Sequence, residues 1–102
     1  MQWIESINAR MTETSRHREL KDLFTEIRAQ INADVKHQVR LVIYRNGLVE
    51  NDWSIHLCWA TDRRPTGKSE LGIRLAELLR PLALVDHTIW VESRRKIHPH
   101  PV

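Results

Sequence analysis

Trp53-Ser54-Ile55-His56-Leu57-Cys58-Trp59-Ala60 alternates strictly between large apolar residues and small or uncharged polar ones. Side chains on a strand point to opposite faces in turn, so Trp53, Ile55, Leu57 and Trp59 belong to a core, and Ser54, His56, Cys58 and Ala60 to a second face. A sheet face open to water ordinarily carries Lys, Glu, Thr or Arg. This strand's share carries no charge, which points to a covered face.

Working outward, Val39, Leu41 and Ile43 alternate with Arg40, Val42 and Tyr44, a strand over about 37–45. Asn46-Gly47 and Glu50-Asn51-Asp52 supply the turn chemistry that folds one strand back antiparallel on the other. Beyond Ala60, the stretch from Thr61 to Lys68 is a loop by composition. Ser69 caps a helix to Arg80, with Leu71, Leu75, Leu78 and Leu79 on one side and Pro81 as its stop. His87–Glu92 reads as a third strand, with Thr88 and Trp90 on the second face beside Tyr44, His56 and Cys58.

Upstream, Leu20, Leu23, Phe24, Ile27 and Ile31 have the spacing of a helical stripe. Trp3, Ile4, Ile7 and Met11 form a shorter stripe, separated by the polar stretch Thr12–Arg18, so the first third is expected to be helical, in two pieces or as one continuous helix over about 2–31. The expected fold is therefore α+β in the order α-β-β-α-β. Its sheet is mixed and three-stranded, with a right-handed crossover between the second and third strands and helices packed on one face. A bare second face and two open edges suggest a homodimer.

The chain's 102 residues fit one domain, here taken as 1–93, followed by an exposed basic and His-Pro tail over 94–102. There is no apolar run of membrane-spanning length and no signal-peptide pattern. One cysteine excludes an internal disulfide framework, so the expected location is cytoplasmic. The net charge of +3 is spread evenly, with eight basic and seven acidic residues in 1–50 and eight and six in 51–102. Nucleic-acid binding thus has local clusters but no basic half to support it.

Gly67-Lys68-Ser69 at a helix start resembles the end of a phosphate-binding loop, but Asp62 stands where the first glycine belongs and Pro65 interrupts the loop. What remains is an anion-binding candidate formed by Arg64, Lys68 and Ser69. His56 and Cys58 are zinc-compatible ligand types two positions apart, yet His87 falls on the opposite face and no acidic residue completes a set. No metal site or cofactor is expected. Cys58 beside His56 lacks an anion hole and an orienting carboxylate, so no catalytic residue is assigned.

Four tryptophans in so short a chain favour an interface. The leading expectation is a non-catalytic homodimeric interaction or scaffold module that uses the second face, with Tyr44, His56, Cys58 and Trp90 as interface or pocket residues. One alternative is RNA binding through the sheet aromatics and loop arginines. Another is a small-molecule binder or enzyme with a pocket between paired sheets.

Overall fold

The computed structural model describes residues 2–33, 39–61 and 65–93. Its order is β1 (Gln2–Met11), a short 3-10 turn (Thr14–Arg16), α1 (His17–Ala33), β2 (Val39–Arg45), β3 (Asp52–Ala60), α2 (Glu70–Leu79) and β4 (Ala83–Val91). All four strands form one sheet in the order β2-β3-β1-β4, and every neighbouring pair is antiparallel.

The first element corrects the expected N-terminal helix, and with it the three-stranded mixed sheet. Trp3, Glu5, Ile7, Ala9 and Met11 are all buried on one face of β1, while Asn8 and Arg10 are exposed on the other. The period is two, not 3.6. It was masked in the sequence because a carboxylate, Glu5, occupies an inward position and an isoleucine, Ile4, an outward one. The break over Thr12–Arg18 exists, but it joins a strand to a helix.

β1 also changes the meaning of the crossovers. β3 and β4 run parallel, as a strand-helix-strand unit should, but they do not pair. β1 lies between them, opposite Ile55 and His87 at Ile7. β3 likewise lies between β1 and β2.

Both helices contribute to one core against the inner face. Leu20, Phe24, Ile27 and Ile31 of α1 and Leu75, Ala76 and Leu79 of α2 bury with Ile7, Ile55 and Leu57 of the central strands. Trp53 and Trp59 pack at its margin, as their alternation requires. The β2–β3 hairpin closes where Asn46 accepts from the backbone N–H of Leu48 and Val49 through its side chain (2.9 and 3.1 Å). Arg16 ties the two helices together, donating to the Pro81 carbonyl at 2.9 Å and pairing with Glu19. No helix among the described residues is long and apolar enough to cross a membrane.

Candidate functional site

The sheet carries polar side chains on both faces, in two different conditions. On the inner face Glu5 is completely buried. Its Oε1 accepts from the Ser69 backbone N–H at 2.9 Å and lies 3.0 Å from His87 Nε2. Its Oε2 accepts from Trp59 Nε1 at 2.8 Å and from the Ser69 hydroxyl. Ser69 is also the N-cap of α2, accepting from Gly72 N–H at 2.9 Å.

The N-terminus of α2 therefore already holds an anion, the chain's own carboxylate. Of the anion-binding candidates, Ser69 is engaged by Glu5, Lys68 is exposed, and Arg64 lies outside the described residues. Gly72 leaves the space for this arrangement. A Cβ there would overlap Glu5 Oε1 and stand 2.9 Å from His87 Cε1. A carboxylate saturated with donors and closed from solvent joins β1, β3, β4 and α2, and has no lone pair directed at a ligand.

The outer face is different. Asn8, Ser6, Ser54 and His56 form a connected chain across β1 and β3. The Ser54 hydroxyl donates to Asn8 Oδ1 at 2.8 Å, the Ser6 hydroxyl donates to the same oxygen at 3.3 Å, and His56 Nε2 lies 2.9 Å from Ser54 Oγ. A hydroxyl has one proton, and that of Ser54 is directed to Asn8. The hydrogen at the His56 contact must then come from Nε2, which leaves Nδ1 as the lone-pair nitrogen. Partial burial pushes the His56 pKa below its ordinary value, favouring the neutral ring.

The Tyr44 ring stands over His56, with centroids 4.9 Å apart. On the far side Trp90 Nε1 donates to Thr88 Oγ1 at 2.9 Å. Beside this chain lies an open hollow of about 530 Å³, whose walls include Asn8, Arg10, Tyr44, Ser54, Leu84 and Asp86.

Tyr44, His56, Cys58 and Trp90 thus share a face, and His56 and Tyr44 meet on it. Trp90 is remote from them on the opposite edge strand. Cys58 is a free, half-buried thiol. The face as a whole is not uncharged, since Arg10, Asp52, Arg40 and Asp86 stand on it, and Arg10 pairs across the strands with Asp52 at 2.8 and 3.2 Å. The aromatics occupy the two edge strands, while the central strands offer Ser, Asn, His and Cys. That gives no stacking platform for a run of bases. Ser6 and Asn8 were missed as site residues because β1 was read as helix; alternation counted through Glu5 would have found them. Among the described residues no group of three His, Cys, Asp or Glu side chains is placed to hold a metal ion.

No protein-family model matches the chain, and no curated protein matches it. Among solved structures, it is similar to that of SnoaB, a cofactor-independent oxygenase from Streptomyces nogalater, determined as an asparagine-to-alanine mutant. The TM-score is 0.63 at 16% identity, over 97% of this chain and 98% of that one. The likeness is one of fold, the ferredoxin-like arrangement of two helices on a four-stranded antiparallel sheet. It corrects the expectation of a non-catalytic scaffold. That expectation rested on there being no catalytic context, and nearly the whole chain shares its fold with an enzyme.

Proposed function

We propose that the chain is a small enzyme whose site is the outer face of the sheet, with His56 as its general base. The observation that carries this reading is the Asn8–Ser54–His56 chain, which runs from Asn8 and Ser54 in the wall of a ligand-sized hollow to His56, outside that wall and against Tyr44. It holds one imidazole nitrogen and leaves the other available in a ring whose burial favours neutrality. Tyr44 and Leu84 supply apolar wall, and Asn8 and the Arg10–Asp52 ion pair supply polar wall for a small molecule.

The reaction class rests on the fold neighbour, whose stated activity is oxygenation without a cofactor. In such a reaction the substrate is itself the reductant. His56 Nδ1 takes a proton from an acidic CH2 group, and the carbanion passes electrons to O2. The carbon becomes a carbonyl that keeps one oxygen atom, and the other leaves as water. We place this chemistry in a homodimer, whose second copy adds to the wall of the hollow.

Exchange of acidic C–H protons with D2O tests the base directly, using a set of 1,3-dicarbonyl carbon acids and following exchange by NMR. The expected result is protein-dependent exchange that falls at least about 100-fold in His56→Gln, within the range general-base catalysis contributes. Exchange that survives in His56→Gln would remove His56 from the mechanism. Oxygen uptake with the same compounds separates proton removal from oxygenation.

A further inference from the structure

We propose that a second copy of this chain adds to the free edge of β4, in antiparallel register about a two-fold axis through His87. In the order β2-β3-β1-β4, no described strand pairs with the outer edges of β2 and β4. The two edges are unlike. β2 is seven residues long and carries Arg40 and Arg45, charges of one sign that resist pairing with a copy of itself. β4 is nine residues long, pairs with β1 in unbroken register from Ala83 to Val91, and carries Asp86 as its single charge. Leu84 and Trp90 on this strand are 67% and 61% exposed, high values for large apolar side chains on a regular strand.

The register follows from alternation and charge. Pairing must keep inner-face residues on the inner face, so the axis passes through a residue and not between two. An axis at Asp86 would set the two carboxylates directly opposite each other. An axis at Thr88 would oppose Leu84 to Glu92 and Asp86 to Trp90. At His87 the pairs are Leu84 with Trp90, Val85 with Ile89, Ala83 with Val91, and Asp86 with Thr88. The exposed Leu84 and Trp90 then cover each other, and each Asp86 carboxylate meets the Thr88 hydroxyl.

The join makes one eight-stranded sheet. It also bears on the outer face, because Leu84 lines the hollow. Trp90 of the second copy comes to stand beside Leu84, so each hollow gains an indole wall from the other chain. Only this last consequence rests on the outer-face site; the pairing itself does not.

Disulfide trapping in the full chain tests the register without reference to activity. Leu84→Cys and Trp90→Cys are each made in a Cys58→Ser background, which removes the native thiol. Directly opposite residues have Cβ atoms about 5 Å apart. Leu84 of one copy is six residues, about 20 Å, from Leu84 of the other. Oxidising an equimolar mixture is expected to give a cross-linked heterodimer, and either variant alone at least tenfold less product. The mixed dimer keeps one native Leu84–Trp90 pair, so the trap does not depend on losing the interface. Thr88→Asp, which opposes carboxylates at two points, is expected to shift the sedimentation of the chain from dimer to monomer. A monomeric unsubstituted chain, or equal cross-linking of the single variants and the mixture, would overturn the proposal.

Discussion

The two faces of the sheet each carry a histidine, and the difference between them separates architecture from chemistry. His87 is inside, 3.0 Å from a carboxylate that also takes three further donors, and nothing about the cluster is open to a ligand. His56 is outside, with one nitrogen fixed by Ser54 and no described residue bonded to the other. A saturated buried network stabilises one conformation. A half-committed network at a hollow leaves a group able to react.

If the inner cluster is architectural, its disruption must appear as lost stability. Glu5→Ala is the most severe case, since it strands the Trp59 indole N–H, the Ser69 N–H and hydroxyl and the His87 ring in the core at once. Breaking a buried charged network by removing one partner costs about 3–5 kcal/mol, comparable with the whole stability of many small domains. Denaturant unfolding should show that loss. A change under about 1 kcal/mol would mean that the cluster is dispensable and the contrast between the faces false.

Gly72→Ala applies a smaller perturbation to the same place. Elsewhere in a helix the change gains about 1 kcal/mol. Here the added methyl meets Glu5 and His87, and four hydrogen bonds prevent the carboxylate from moving aside. A net loss of about 1–2 kcal/mol is expected, because overpacking exceeds the propensity gain. Stabilisation by this substitution would show that the cluster gives way.

On the outer face the order of effects should reverse. Ser54→Ala removes exposed-side hydrogen bonds worth about 1 kcal/mol or less. It also frees His56 Nε2, and with it the tautomer that leaves Nδ1 as the base. Unfolding midpoints should barely change, while proton exchange with carbon acids should fall at least tenfold. The opposite outcome, a large loss of stability with exchange intact, would make the outer network architectural as well.

The same contrast explains what the sequence disclosed. β3, α1, α2 and the outer placement of Tyr44, His56, Cys58 and Trp90 were legible because each element keeps one period with the expected polarity. Ser69 as a cap was legible for the same local reason. β1 was not, since Glu5 inside and Ile4 outside scramble its alternation, and the carboxylate's compensation comes from Trp59, Ser69 and His87, 54 to 82 positions away. Missing that strand also concealed Ser6 and Asn8, half of the outer network. Long-range satisfaction of one buried charge is invisible to periodicity, and it determined the topology.

The smallest expected effect is the pH response of His56. Burial lowers its folded-state pKa, so the unfolded chain takes up this proton first as pH falls. The folded state's advantage from the neutral ring is complete above the unfolded value of about 6.5 and is lost as pH falls below it toward the folded value. His56→Gln cannot titrate. The stability difference between the unsubstituted chain and His56→Gln should therefore move against the unsubstituted chain between pH 8 and pH 5, and comparison within the pair cancels the other histidines. The proton-exchange rate should fall over a lower pH range than an unperturbed imidazole would give, since the base stays unprotonated there. Were stability to improve on acidification relative to His56→Gln, the protonated ring would be the favoured one. His56 would then hold a charge on the outer face where the mechanism requires a base.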